Sequence, residues 1–255
     1  MDRTSDEREF LATLIIGDIV EGTVVPDDRR EAAVVLDGFP ARPLAWVGAL
    51  DLSWQRRRVL EVGERIIAEV MRVDLDRGVQ LSTAATENPE LWAFLKARQA
   101  GEVLTGTVAA IEPFGVFVAL DDGPPHPIYP GVGFVTHPEL AWGRIEATTD
   151  VVQVGQRVQG EFLVFDTYNG EARLSLKALE PNPFLDLTVG QEFLGRVTKV
   201  LPLGVFVAIR DRVEGLVRDL DPMPAVGDEI QVTVVAVDLS KVLLRPTASS
   251  GLLDE

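Results

Sequence analysis

The sequence predicts an all-β protein built from three tandem five-stranded barrels, joined by short helical or proline-containing linkers. Two motifs that each recur three times, in the same order, carry this prediction. A hexad bounded by glycines occupies residues 17–22, 101–106 and 190–195. A Val-Gly turn follows at 62–64, 154–156 and 226–228, and an aspartate comes eleven residues after each of its glycines, as Asp74, Asp166 and Asp238.

Each repeated unit contains the pattern of five short strands. Two strands hold the hexad and the β-branched run after it, a third follows a turn, and the last two form a hairpin around the aspartate. Five short strands in about 70–80 residues are typical of a small Greek-key barrel, of which the OB-fold is the commonest form. The hexad and the Val-Gly turn are 41, 49 and 32 residues apart, so insertions fall in the middle of each unit.

The same patterns divide the chain into units and linkers. Residues 1–86 form the first unit with an N-terminal helix over 5–16, which Ser5 can cap. Residues 87–100 form a helical linker, in which Leu91, Phe94 and Leu95 would face a barrel. The second unit spans 101–178, a proline-stiffened linker spans 179–189, and the third unit spans 190–248.

The composition and the absence of known catalytic motifs narrow the classes of function that the chain can have. The chain has no cysteine, two histidines and a net charge of −16. It shows no phosphate-cradling loop, no nucleophile elbow and no His-Glu-x-x-His motif, so we expect a protein that is not an enzyme and that uses no cofactor or metal. A charged N-terminus and the lack of a long apolar run predict a cytoplasmic protein that does not contact membranes.

One strand motif stands out in two of the units. Residues 113–120 read P-F-G-V-F-V-A-L, and residues 202–209 read P-L-G-V-F-V-A-I. Phe114 and Phe117 are three residues apart, so strict alternation would place them on opposite faces of a strand. A bulge at Gly115 would bring both rings to the outside. In the alternative, one or both rings belong to the core.

These motifs resemble those of a known family. The hexad, the P-F-G-V-F-V strand, the G-F-V-x-x-P-E-L segment at 133–140 and the A-R-L-S-L-K ending at 172–177 are similar to the RNA-binding domain of ribosomal protein S-one. The linker segments at 88–92 and 176–184 are similar to the linkers between its repeats. The resemblance runs from about residue 15 to residue 248, and it is weakest in the first unit, which has no aromatic residue at 31–36.

The resemblance implies an OB-fold that binds single-stranded RNA through two aromatic residues, a histidine, an aspartate and a basic residue. The second unit keeps both aromatics and the aspartate. Thr136 stands at the histidine position with His137 beside it, whereas Glu171 stands at the basic position and Arg173 follows two residues later.

The third unit keeps a different part of this set. Leu203 replaces the first aromatic, Phe206 keeps the second, Arg218 stands at the histidine position and Lys241 at the basic one. In the first unit, Gly78 occupies the basic position. The candidate RNA-binding residues are therefore Phe114, Phe117, Thr136, His137, Asp166, Arg173, Phe206, Arg218, Asp238 and Lys241.

Each of these residues also has an alternative interpretation that involves no RNA. Thr136 and His137 can be an ordinary polar pair at a strand end, Arg173 a surface charge, and the two aspartates can organise hairpin turns. The proline-rich segment 121–131 is predicted to be a protruding loop that gates RNA, docks a protein or does neither. The Arg56-Arg57-Arg58 run is a solvated loop or a contact for phosphate or an acidic partner.

Two functions follow from these observations. The first is a non-enzymatic protein that binds single-stranded RNA in translation or mRNA handling. The second is an acidic interaction module that docks on a ribosomal or other basic partner, with RNA binding weakened or lost. The net charge and Glu171 favour the second, because affinity for RNA depends largely on Lys and Arg at the phosphates. The retained aromatics, Arg218 and Lys241 favour the first.

Overall fold

A computed structural model describes residues 3–26, 32–49, 51–54 and 60–247. It contains three closed five-stranded barrels, which confirms the predicted all-β fold class of tandem OB-folds. Barrel one consists of β1 (Ile19–Val25), β2 (Ala32–Leu36), β3 (Ala45–Val47), β4 (Arg65–Asp74) and β5 (Gly78–Ser82). Barrel two consists of β6 (Val103–Glu112), β7 (Gly115–Leu120), β8 (Gly133–Thr136), β9 (Arg157–Asp166) and β10 (Glu171–Ser175). Barrel three consists of β11 (Glu192–Leu201), β12 (Gly204–Arg210), β13 (Val213–Val217), β14 (Glu229–Val237) and β15 (Val242–Pro246).

All three barrels have the same topology. The first strand pairs with both the second and the fourth, and the fifth strand closes the barrel between the third and the fourth. The third and fifth strands run parallel, and the other pairs are antiparallel. Each barrel encloses its own apolar core of β-branched and leucine side chains.

The recurrence of the hexad has a steric cause. Its second glycine lies where the first strand crosses the second, and a Cβ on Gly106 would stand 2.4 Å from the carbonyl oxygen of Ala119. Its first glycine turns the chain into the strand with a left-handed backbone, as at Gly101, where φ is +88°. The second glycine is therefore required because a side chain would not fit, and the first because its backbone is left-handed.

Within the described residues, three α-helices accompany the barrels, α1 (Ser5–Thr13), α2 (Ala84–Glu87) and α3 (Pro89–Lys96), together with three short 3₁₀ turns. The N-terminal helix is shorter than predicted, and its cap is Thr4 rather than Ser5. The Thr4 hydroxyl accepts from the Glu7 backbone N–H while the Glu7 carboxylate accepts from that of Thr4, which completes a capping box. None of the helices in the described ranges is long and apolar enough to cross a bilayer.

The predicted linker helix is present as α3 and packs on barrel two. Leu91 and Leu95 are buried as expected, whereas Phe94 is only partly buried. Trp92, which the sequence did not single out, is 3% exposed and belongs to the same apolar cluster as the core of barrel two. We propose that the unit boundaries predicted above delimit the domains, because the strands of each barrel fall within them.

Candidate nucleic-acid interface

A row of three side chains crosses the outer face of barrel two. Phe117 on β7 pairs in register with Phe134 on β8, and Phe134 pairs with Arg173 on β10. Because side chains alternate along a strand, these three point away from the core. Apart from Gly133, their neighbours along the strands belong to the core cluster: Val116, Val118, Val135, Ala172 and Leu174.

The aromatic rings around this row form one cluster. Phe114 stacks on Phe134 with ring centroids 5.9 Å apart, and Phe117 packs on Phe134 at 4.9 Å. Phe134 is the member that sequence reasoning missed. A Cβ on Gly115 would lie 2.4 Å from the Phe134 ring, so the glycine in the P-F-G-V-F-V motif makes room for this aromatic residue.

Phe114 and Phe117 differ sharply in exposure. Phe114 is 61% exposed, whereas Phe117 is 3% exposed. The expected bulge at Gly115 is absent from the described strands. Phe114 lies in the turn before β7, and the register shift lies in β6 between Val108 and Ala110. Phe114 therefore faces solvent because it is in the turn, and Phe117 lies on the outer face beneath other side chains.

The side chain stacked on Phe117 comes from the 121–131 loop. The Tyr129 ring lies 5.0 Å from the Phe117 ring at an interplanar angle of 20°. His126 packs beside Tyr129 at 4.8 Å, and its Nε2 lies 2.9 Å from the Asn169 carbonyl oxygen. The prediction that this loop protrudes is therefore only partly right, because two of its side chains turn back onto the barrel.

Arg173 is committed to partners within the protein. Its guanidinium forms a salt bridge with Asp166, lies 3.3 Å from the Glu171 carboxylate and stands 4.7 Å above the Phe134 ring. Asp166 also accepts the backbone N–H groups of Tyr168 and Asn169. These contacts match the turn-organising interpretation of Asp166, and they leave Arg173 fewer free N–H groups for a phosphate than the sequence suggests.

Glu171 replaces the expected basic residue with a buried carboxyl group. It is 2% exposed, and its Oε2 forms no hydrogen bond with the described residues. Burial raises the pKa of Glu171 to about 7, although the positive charge of Arg173 opposes this rise. The hairpin end of barrel two therefore holds a carboxyl group that titrates near neutral pH.

The polar pair at the end of β8 lies next to the exposed Phe114. Thr136 pairs in register with Gly115, which follows Phe114 in the chain. His137 begins a single 3₁₀ turn, His137–Glu139, and its Nε2 lies 3.0 Å from the Thr148 hydroxyl. Both residues are partly exposed. The structure thus brings Thr136 close to the aromatic cluster and gives His137 a partner in the following loop.

Barrel three repeats the arrangement with fewer aromatics. Leu203, 73% exposed, lies in the turn that corresponds to that of Phe114, and Phe206 is partly buried on β12. Lys199 on β11, a second residue missed from the sequence, pairs in register with Phe206. Arg218 directly follows β13 and lies beside Gly204, so it takes the place that Thr136 has in barrel two.

The second turn aspartate behaves like the first. The Asp238 carboxylate accepts the backbone N–H groups of Ser240 and Lys241. These hydrogen bonds, led by that of Ser240, lower the pKa of Asp238. The Lys241 side chain remains exposed at the same hairpin. Asp238 therefore stabilises the turn from which the Lys241 side chain extends.

The Lys and Arg side chains of barrels two and three differ in whether they form salt bridges. All four Lys and Arg residues between 101 and 183 form salt bridges: Arg144, Arg157, Arg173 and Lys177. None of the seven in 184–247 forms one with any described residue, and all seven are exposed: Arg196, Lys199, Arg210, Arg212, Arg218, Lys241 and Arg245. The uncommitted positive charge of this part of the chain thus lies on barrel three.

In the equivalent row of barrel one, a single aromatic residue, Trp46 on β3, stands between Ala33 and Gln80. Barrel one also contributes a side chain to barrel two. Its Trp54 belongs to the apolar cluster of barrel two, and the indole Nε1 donates to the Thr167 carbonyl oxygen at 2.9 Å. Gly78, at the position expected for a basic residue, begins β5. The Arg56-Arg57-Arg58 run lies outside the described residues.

Comparisons with known proteins agree with this architecture. The family model described as "S1 RNA binding domain" matches residues 98–177. The small ribosomal subunit protein bS1 of Mycobacterium leprae (strain TN) is 34% identical over 257 aligned positions, covering 92% of this chain and 49% of that protein. The protein of the same name from Mycobacterium tuberculosis (strain ATCC 25618 / H37Rv) is 34% identical over 200 positions, covering 71% and 40%.

The chain thus spans about half, or less, of the length of these curated relatives. Among solved structures, the solution structure of GSP13 from Bacillus subtilis shares 30% identity, covers 28% of this chain and 65% of that one, and gives a TM-score of 0.24. The family model covers barrel two, the barrel that carries the complete aromatic row. Residues 98–177 thus form a domain of the S1 type.

Proposed function

We propose that the protein binds single-stranded RNA without catalysing a reaction on it, and that it acts at the ribosome, in translation or mRNA handling. The aromatic cluster of Phe114, Phe117 and Phe134 on barrel two carries this proposal. Unpaired bases stack on such rings for about 1–3 kcal/mol each with little demand on sequence. Phe114 is the ring that is most accessible to a base.

Barrel three supplies the charge in this proposal. Arg218 follows β13 and Lys241 precedes β15, at positions where the family places contact residues. Neither side chain forms a salt bridge with a described residue. Thr136 and His137 border the same face of barrel two. Asp166 and Arg173 shape the hairpin of barrel two, and Asp238 shapes that of barrel three, because their charged groups bind within the protein. The net charge of −16 limits the affinity, since distant carboxylates repel phosphate.

The second candidate is an acidic module that docks on a ribosomal or other basic protein. The observation that favours it is the complete pairing of the four cations of barrel two, together with the buried Glu171 at the basic position. Both features reduce the attraction of this barrel for phosphate. In this case the exposed aromatics would contact a protein surface instead of bases.

A titration of the full chain with a fluorescent, pyrimidine-rich single-stranded RNA tests the first proposal. We expect micromolar or tighter binding at low salt and clearly weaker binding when the salt is raised. Phe114→Ala should weaken binding about fivefold to a hundredfold, which corresponds to the loss of one stacking partner.

Leu194→Ala is the matched control, because Leu194 is a similarly exposed apolar residue, at 59%, on β11 of barrel three. This variant should bind RNA as the wild type does. A chain that shows no RNA binding at low salt would refute the RNA proposal and leave the protein-docking candidate. Equal losses in the two variants would show that stacking on Phe114 is not the source of affinity.

A further inference from the structure

We propose that the 121–131 loop is a gate over the stacking face of barrel two, with Tyr129 occupying the place of a base and Trp54 of barrel one holding the gate closed. The inference rests on the proposed RNA binding and adds its regulation. It also assigns a role to barrel one, whose equivalent row holds the single aromatic Trp46.

Tyr129 has the geometry of a stacked ligand. Its ring lies nearly parallel to that of Phe117, at 20° and 5.0 Å between centroids, whereas Phe114 and Phe134 meet the same ring at 85° and 59°. With these rings in place, only 3% of Phe117 is accessible. A base that stacks on this side of Phe117 must therefore first displace Tyr129.

His126 links the gate to the hairpin between β9 and β10. Its Nδ1 accepts the backbone N–H groups of Ile128 and Tyr129 at 3.1 and 3.0 Å, so Nε2 carries the proton and donates to the Asn169 carbonyl oxygen. Burial lowers the pKa of His126, which is consistent with this neutral form. The Tyr129 hydroxyl also lies 3.4 Å from Asn169 Oδ1.

Trp54 joins barrel one to this hairpin. The indole stacks on His126 with ring centroids 5.9 Å apart and packs 5.8 Å from Trp92 on α3. Its Nε1 donates to the carbonyl oxygen of Thr167 in the hairpin. A Cβ on Gly170 would stand 2.8 Å from the same indole, so the hairpin has a glycine where the tryptophan approaches it.

These contacts make the closed loop a competitor for RNA. A ligand that binds only the open form has its apparent affinity reduced by the fraction of molecules that are open. Weakening the loop contacts should therefore tighten RNA binding without adding any contact to RNA. The gain should require Phe117, because Phe117 is the ring that opening exposes.

The test is the affinity of the full chain for the same fluorescent oligopyrimidine RNA. Tyr129→Ala should bind about threefold to tenfold more tightly than the wild type, because it raises the open fraction. Ile128→Ala is the control from the same loop, since Ile128 is 50% exposed and should leave the affinity unchanged. Adding Phe117→Ala to Tyr129→Ala should abolish the gain.

Trp54→Ala and His126→Ala test the link to barrel one and should also tighten binding. Circular dichroism identifies any variant that fails to fold, and because Trp54 is buried in the cluster of barrel two, His126→Ala keeps the link testable. Weaker or unchanged binding by Tyr129→Ala, while the wild type binds, would overturn the gate and leave the RNA proposal intact. Failure of every variant and of the wild type to bind would instead refute RNA binding itself.

Discussion

Gly106→Ala should destabilise barrel two by about 3 kcal/mol, at the upper end of the cost of overpacking a core position. The new Cβ would stand 2.4 Å from the Ala119 carbonyl oxygen and 2.7 Å from a methyl group of Val118. The first contact is with backbone, which cannot rotate away as a side chain can. Strands β6 and β7 would have to separate at the point where they begin to pair.

Gly101→Ala is the matched control within the same hexad. Gly101 has φ of +88°, and a Cβ there would meet no atom within 4 Å. The control variant should lose only about 1 kcal/mol, which is the strain of a left-handed alanine. Hydrogen exchange of the amides of barrel two measures both effects locally, because the unfolding transitions of three barrels can overlap. Equal losses in the two variants would contradict the steric explanation of the hexad.

Glu171→Gln should make barrel two more stable at pH 8 and should change its stability much less, by under about 1 kcal/mol, at pH 5. The pKa of Glu171 is about 7 in the folded state and 4.5 in a model peptide. The folded state therefore holds a proton that the unfolded state releases between these two values, so the wild type loses stability as the pH rises through this window. At pH values below this window, Glu171 is protonated in both the folded and the unfolded state, so the wild type loses no stability.

The size of this loss follows from the difference in pKa. It amounts to roughly 3 kcal/mol at most, and relaxation around the ionised group reduces it to about 1–3 kcal/mol. Glutamine stays neutral at every pH and should abolish the loss. Glu161→Gln removes a partly exposed carboxylate of β9 and serves as the control. Stability curves of wild type and Glu171→Gln that run parallel from pH 5 to pH 8 would contradict the assignment.

The barrels could be predicted because their constraints are local in sequence. The hexad glycines and the turn aspartates recur at fixed positions, and each satisfies a requirement that any barrel of this topology has at that point. Asp166 and Asp238 accept backbone N–H groups two and three residues later, so their role depends on the turn alone. Such features survive even in barrel one, where β2 has no aromatic residue and Asp74 still accepts the backbone N–H groups of Asp76 and Arg77.

Several residues of the candidate site could not be predicted, because they are brought together by contacts between residues that are distant in the sequence. Phe134 joins the row only once the pairing of β7 with β8 is known, and Lys199 meets Phe206 only across β11 and β12. Phe117 was correctly assigned to the strand, but part of its cover comes from Tyr129, twelve residues further along the chain. Trp54 reaches a hairpin 113 residues away. Composition marked 121–131 as a loop and gave no information on where its side chains pack.

Photocrosslinking of a 4-thiouridine-containing single-stranded RNA to the full chain, followed by mass spectrometry of the adducts, tests the division of roles between the barrels most directly. The account predicts adducts in the peptide that holds Phe114 and Phe117, together with adducts near Arg218 or Lys241. Phe114→Ala should reduce the former. Adducts confined to barrel one, or spread over the chain without enrichment at these two places, would contradict RNA binding by barrels two and three.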